Sequence, residues 1–348
     1  MKTWLRRIGF VVALAFVVLT FVNASWLAPT PLGPVKLIAH RGAYQQFSHA
    51  NLGRDDCTAT RIEPPVHDYL ENTLASLNAA ARLGAQMIEV DVAPTKDGRI
   101  VLFHDWTVDC RTDGHGETRS LTLAELKALD AGYGYTADGG KTFPFRGKGV
   151  GAIPALEEAL ALLPDKPLLY NFKGKDAAEG DLLAAALKAA GRDVERIGDG
   201  FYGHPAPVAR IRSHFPKAWA WSKESAKACT TGYLASAWIG VVPEACRGGT
   251  LMVPLNIKWL FPGWPNRTLA RMESVGARAV VVGPYGGGAG MGIDLPEQLG
   301  EIPASYNGYV WVEDIWSIGP ALRPAYNRRN PREDTELAAA LERRRAAR

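Results

Sequence analysis

The sequence lacks any marked excess of charge: 40 Lys and Arg face 36 Asp and Glu, for a formal net charge of +4. Much of that surplus sits in the last residues, where Arg343, Arg344, Arg345 and Arg348 crowd together. Tracking a nucleic-acid backbone requires a clustered basic face. None is visible before this tail, so nucleic acid is not expected as a partner. A Cys-x-x-Cys pair is also missing, which removes thioredoxin-type and common zinc chemistry. There is no P-loop, no Gly-x-Ser-x-Gly and no His-Glu-x-x-His. Residues 286–292 hold five glycines without the dinucleotide-binding spacing, and read as a loop after the seventh strand. What is present, 47% hydrophobic and 22% charged residues in a chain of 348, is the composition of a globular protein with a large core.

The first residues differ from the rest. Lys2, Arg6 and Arg7 precede an unbroken apolar run over 8–22, with Val22-Asn23-Ala24 just after it. A basic start, an apolar stretch and a small residue at that spacing predict export, with residues 1–28 acting either as a secretory signal peptide or as an uncleaved membrane anchor. Residues 8–22 fall short of the roughly 20 apolar residues of a membrane span, although Trp26 and Leu27 continue the apolar character. The expected location is periplasmic, extracellular or membrane-anchored facing outward. Four cysteines then read as two disulfides of an oxidising compartment, with three pairings open. Cys57 and Cys110 fall in two separate long loops and could tie them together; Cys229 and Cys246 fall within a third.

Past the Pro-rich residues 29–34, apolar runs alternate with helical segments. The runs lie at 35–39, 87–92, 167–173, 200–203, 217–221, 251–255, 279–283 and 309–313. Eight such alternations predict an α/β fold, a (β/α)8 TIM barrel over residues 35–330. Residues 105–151 form an insertion after the second strand, and residues 331–348 a charged, solvated C-terminal tail. Segments 43–70, 105–151 and 222–249 are too long for simple connections, and each follows a strand, on the side where barrel enzymes build their sites.

The chemistry concentrates around Met87-Ile88-Glu89-Val90-Asp91-Val92 and Ile100-Val101-Leu102-Phe103-His104-Asp105. Glu89 and Asp91 alternate with apolar residues, so they share one face of a strand. Two carboxylates inside an apolar strand are costly unless a cation or partner compensates them. Asp97-Gly98 predicts a two-residue hairpin turn, which pairs residue 91 with 104 and brings His104 about 5 Å from Asp91 between Cβ atoms. The first strand ends in His40-Arg41-Gly42, opening into the same end of the barrel. Two imidazoles are suited to general acid–base work near neutrality, and a guanidinium to bidentate phosphate binding.

These motifs, with Glu71-Asn72-Thr73, Thr95–Gly98 and Arg111-Thr112-Asp113-Gly114 in order, resemble the signature of the glycerophosphodiester phosphodiesterase family. The match is dense from residue 37 to about 173, includes Ile153-Pro154-Ala155-Leu156, and thins beyond. The resemblance implies a TIM barrel, one divalent cation (Mg²⁺ or Ca²⁺), and hydrolysis of glycerophosphodiesters to glycerol 3-phosphate and an alcohol. It implies His40 and His104 as the acid–base pair, Glu89 and Asp91 as metal ligands, and Arg41 on the phosphate, with Lys173 holding developing charge. The family usually shows Glu-x-Lys on the third barrel strand; this chain has Asn171-Phe172-Lys173. An Asn carbonyl can ligate either ion, so Asn171 is the expected third ligand, and Glu313 a candidate replacement carboxylate or an ordinary surface or salt-bridged acid. Glu71 reads as an accessory pocket residue, and Asn72 or Thr73 as the cap of the following helix. Phospholipase C- or D-like action on lipid head groups is an alternative on the same barrel. Trp219, Trp221, Trp259, Trp264, Trp311 and Trp316 would then line the pocket or a membrane-facing rim, or else belong to the core. A barrel that binds phosphodiesters without turning them over is the non-catalytic alternative, motivated by Asn171. A membrane tether through 8–22 would complete the partners.

Overall fold

A computed structural model describes residues 2–53, 56–286 and 291–347 of the chain; the glycine-rich residues 287–290 expected as a loop lie outside the described residues. Nine strands form one sheet: β1 Lys36–Ala39, β2 Met87–Pro94, β3 Ile100–Leu102, β4 Leu168–Phe172, β5 Gly200–Gly203, β6 Trp219–Ser222, β7 Thr250–Pro254, β8 Arg278–Val282 and β9 Tyr309–Val312. The order is β6-β5-β4-β2-β1-β9-β8-β7, with β3 paired antiparallel to β2. The eight remaining strands are parallel to their neighbours, which is the expected barrel. Between β6 and β7 the described residues form no backbone ladder. Side chains lace this seam instead: the Trp219 indole donates to Gly249 O at 3.2 Å and Thr250 Oγ1 at 2.9 Å. Arg212 Nη2 reaches Ala220 O at 2.7 Å and Gly248 O at 3.0 Å.

Strand alternation splits the core into two layers. Ile38, Met87, Leu169, Tyr202, Trp219, Trp221, Val280, Val282 and Trp311 fill the lumen. Leu37, Ala39, Ile88, Val90, Tyr170, Phe201 and Val310 face outward against the helices. Trp219, Trp221, Trp311 and Trp316 are therefore buried, whereas Trp259 is exposed. Glu89 and Asp91 are fully buried on the same lumen-facing register as Met87.

Three expectations change. The hairpin turn holds three residues, not two: Val92 pairs with Leu102 and Pro94 with Ile100, and Thr95 N donates to Arg99 O across Lys96-Asp97-Gly98. Gly98 sits at φ 72°, the left-handed region that glycine enters freely, so the register slips by one residue. Residues 222–249 do not form a mouth loop: Ser222 caps the helix Lys223–Ser236, which carries the chain back toward the start of β7. The C-terminal segment is more than a solvated tail. Its helix Pro331–Ala346 buries Leu337, Ala340 and Leu341, and Arg344 pairs with Asp314 at 2.5 Å and Glu63 at 2.7 Å. Both disulfides form, Cys57–Cys110 between the segments after β1 and β3, and Cys229–Cys246 between the helix Lys223–Ser236 and its return.

Candidate active site

The ends of β1, β2, β4, β5 and β9 converge on one cluster. The β2–β4 register sets Asp91 beside Asn171 and Glu89 beside Leu169, so Glu89, Asp91 and Asn171 line the lumen together. Glu89 accepts the Arg41 backbone N–H at 2.8 Å and the Tyr202 hydroxyl at 2.7 Å. Asp91 accepts Asn72 Nδ2 at 2.9 Å and Asn171 Nδ2 at 2.8 Å, and pairs with Lys173 Nζ at 3.0 Å. Burial raises the proton affinity of both carboxyls. Asp91 is nevertheless held well below the usual range by Lys173, His104 and Arg41, while burial and the neighbouring Asp91 push Glu89 up to about 7.

Arg41 and Asn72 adopt φ of 53° and 58°, strained for residues with a side chain. The strain aims their groups into the cluster: Asn72 Oδ1 accepts the Asp91 backbone N–H at 3.0 Å while its amide nitrogen holds the carboxylate. Thr73, rather than Asn72, caps the helix Leu74–Arg82 by accepting from Ser76 N. Next to Arg41, Gly42 has no room for a side chain, since a Cβ there would lie 2.2 Å from Ser76 Oγ. Arg41 Nη1 pairs with Glu71 Oε1 at 3.0 Å, and Arg111 joins Glu71 at 3.2 Å and Asp105 at 3.2 Å. Glu71 thus links two guanidinium groups.

The two histidines are set apart by their partners. His104 Nδ1 lies 2.6 Å from Asp105 Oδ1, yet burial together with Arg41 and Lys173 pushes the imidazole down to about 4. His40 Nδ1 lies 2.5 Å from Glu313 Oε2, and Arg41 Nε donates to His40 Nε2 at 3.3 Å. Burial alone would lower His40, but the Glu313 carboxylate outweighs it and the net shift is upward. Glu313 also accepts the Tyr44 hydroxyl, and the Gly292 N–H at 2.8 Å.

Glu313 is accordingly the salt-bridged acid of the two expectations, not a surface one: it pairs with His40. It is 2% exposed and its carboxylate is spent on His40 and Tyr44. Asn171 acts here as a hydrogen-bond donor to Asp91. Among the described residues, no three His, Cys, Asp or Glu converge as a metal-holding group. Glu89 and Asp91 still fit a hard divalent cation, because two buried carboxylates on one lumen-facing register supply the oxygen donors such an ion takes. Tyr44, Tyr202 and Asp105 join the site without having been assigned a role from sequence. Asp105 was signalled by its place beside His104, but nothing in Gly200-Phe201-Tyr202-Gly203 marks Tyr202 beyond its strand-end position.

Residues 40–195 match the glycerophosphoryl diester phosphodiesterase family. That stretch, under half of the chain, is what resembles this family. A glycerophosphodiester phosphodiesterase of Caldanaerobacter subterraneus is 45% identical over 105 residues, covering 30% of this chain and 40% of that protein. Human glycerophosphodiester phosphodiesterase 1 is 38% identical over 123 residues, 35% of each chain. The chain thus spans less than half the length of these curated relatives. Among solved structures, the phosphodiesterase domain of a Mycobacterium tuberculosis protein has a TM-score of 0.57 at 19% identity, covering 82% of this chain and 98% of that one. An Oleispira antarctica phosphodiesterase, solved with its product sn-glycerol-3-phosphate, has a TM-score of 0.53 at 20% identity over 86% of this chain and 99% of that one. The family match ends at residue 195, so the later strands, including the one that delivers Glu313, resemble the solved structures by fold alone.

Proposed function

We propose that this protein hydrolyses glycerophosphodiesters to glycerol 3-phosphate and an alcohol, with His104 as general base and His40 as general acid. The observation that carries this reading is a pair of imidazoles at one barrel mouth, each held at Nδ1 by a carboxylate and oppositely tuned, with Arg41 beside His40 and its charge felt by His104. At neutral pH His104 is deprotonated. Asp105 holds its Nδ1–H, leaving Nε2 free to take a proton from the attacking water or substrate hydroxyl. His40 keeps Nδ1 on Glu313, which raises its proton affinity; once Arg41 Nε, which donates to His40 Nε2 in the resting site, turns to the phosphate, a proton on Nε2 passes to the departing alkoxide. Arg41 and Lys173 provide positive charge for the phosphoryl oxygens as the transition state forms. Glu71 restrains Arg41, and Tyr202 orients Glu89.

Glu89 and Asp91 would hold a Mg²⁺ or Ca²⁺ ion, which when bound polarises the phosphoryl oxygens. The test is turnover of glycerophosphocholine by the full chain against His40→Ala and His104→Ala. Loss of an acid or base is expected to lower kcat about 10²–10⁴-fold. Undiminished turnover in His104→Ala would end the assignment. The relative with bound sn-glycerol-3-phosphate supports this small-molecule product class over an intact lipid.

A further inference from the structure

The helix Lys2–Asn23 is built into the barrel at its base. Over Thr3–Asn23 its mean hydropathy is 2.2 and none of it is buried. At about 1.5 Å per residue it matches a hydrocarbon core of roughly 30 Å. A signal peptide would have the same character, so the junction with the barrel decides between the two. Arg271 is 9% exposed, and its described guanidinium partners are carbonyl, amide and hydroxyl oxygens with no carboxylate among them. Its guanidinium donates to Val22 O at 3.1 Å, Asn23 Oδ1 at 3.2 Å, Pro262 O at 3.0 Å and Tyr233 Oη at 3.3 Å. Two of these four acceptors belong to the apolar helix. Asn23 Nδ2 also donates to Trp238 O at 2.7 Å, and Asn266 N to Ser25 Oγ at 3.0 Å. Ala24 and Ala28 are 3% and 6% exposed. Cleavage after Ala24 would strip a buried cation of half its partners, an expensive loss for a charged donor.

The surroundings of this junction are apolar and open. Trp26 is 76% exposed, Leu27 48%, Trp238 47%, Ile239 69% and Val241 51%. Ala237–Ile239 follows the helix that returns from the end of β6 toward the start of β7, so these residues lie at the face where the strands begin. Leu32 O accepts Asn307 Nδ2 at 2.8 Å just before the starts of β1 and β9, on that same face. His40, His104 and Asp91 lie at the opposite face. Exposed tryptophans beside a membrane helix are the pattern of interfacial anchoring. Lys36 and Arg278, which line a cavity on this face, add positive charge toward a phosphate-bearing surface. Arg6 and Arg7 at the far end of the helix place that end on the cytoplasmic side, and the two disulfides fit a barrel held outside.

We propose that Lys2–Asn23 is retained as a bilayer-spanning anchor and that the strand-start face of the barrel rests on the lipid surface through Trp26, Leu27, Trp238, Ile239 and Val241. The catalytic mouth then opens away from the bilayer, and substrate reaches it from the aqueous side.

Two measurements on the full chain test this. The mature protein is recovered from the producing cells and its first peptide weighed. A membrane-bound protein with Phe21-Val22-Asn23 still joined to Ser25-Trp26 is expected, and a mature chain starting near Ser25 overturns the anchor. A Trp4→Phe protein, which removes the tryptophan of the spanning helix itself, is then reconstituted in brominated phosphatidylcholine vesicles and compared with the same protein also carrying Trp26→Phe and Trp238→Phe. Both tryptophans are surface-exposed, so the variant keeps the fold. Loss of most of the quenched component on removing Trp26 and Trp238, although seven of ten tryptophans remain, is expected. Equal quenching of both proteins overturns the docking.

Discussion

Glu313→Gln separates the charge of the Glu313 carboxylate from its shape. Gln fills the same buried space; with its one oxygen toward Tyr44 and His40 it removes the negative charge 2.5 Å from His40 Nδ1 and gives up acceptance of the Gly292 N–H. A hydrogen bond to a charged group is worth about 1.5–3 kcal/mol, and one pKa unit corresponds to 1.36 kcal/mol. The proton affinity of His40 should therefore fall by roughly one to two units. The sign follows from the direction of the shift. His40 is raised, so the protonated acid is present below its pKa and lost as pH rises through it. Lowering that pKa moves the alkaline limb of the kcat/KM profile to lower pH by the same one to two units, with activity above both limbs falling about 10- to 100-fold. The acid limb, set by His104 at about 4, should stay in place. The assay is a pH series with glycerophosphocholine, paired with NMR titration of the histidine rings. Tyr44→Phe, which leaves the charge intact, should shift the limb far less. An alkaline limb unmoved in Glu313→Gln would refute the role of Glu313 in holding the proton on His40.

Other outcomes follow from the same geometry. Chelation with EDTA should abolish most turnover, with Mg²⁺ or Ca²⁺ restoring it, and Glu89→Gln should raise the metal concentration required by an order of magnitude or more, read by metal-dependent kinetics; full activity in EDTA would remove the cation from the reading. Replacing both Cys57 and Cys110 with Ser opens a loop of sequence separation 53. The chain-entropy argument puts the loss at about 4 kcal/mol, measurable as a lowered midpoint in chemical denaturation and contradicted by an unchanged one.

Much of this arrangement is legible in the sequence because it depends on local alternation. The eight apolar runs become barrel strands since each needs only a buried stripe and a helical return, and Glu89 and Asp91 face the lumen because a period of two leaves them no other side. The hairpin register was off by one for a reason that Asp97-Gly98 does not reveal. Asp97 turns its carboxylate onto the Thr95 hydroxyl at 2.6 Å and the distant Leu123 N–H at 3.0 Å, stabilising a longer turn. His104 still reaches the site because β3 ends at Leu102 and the chain leaves the ladder before it. That the ion-pair partner of Glu313 is His40 was illegible for a related cause. Its partner is fixed by the β9–β1 register, which sets Val312 beside Ala39 and carries the next residue to His40. Tyr202 and Tyr44 reach their carboxylates from strands and loops far apart in sequence, and no local pattern announces where a hydroxyl will land.

The seam between β6 and β7 gives the barrel a direction of weakness. Seven joints are bolted by peptide groups that no substitution short of proline can remove; the eighth hangs on an indole and a guanidinium, each encoded by a single codon. Change Trp219 or Arg212, and the cylinder acquires a hinge line, a place to gape like a split stave while its other staves stay hooped.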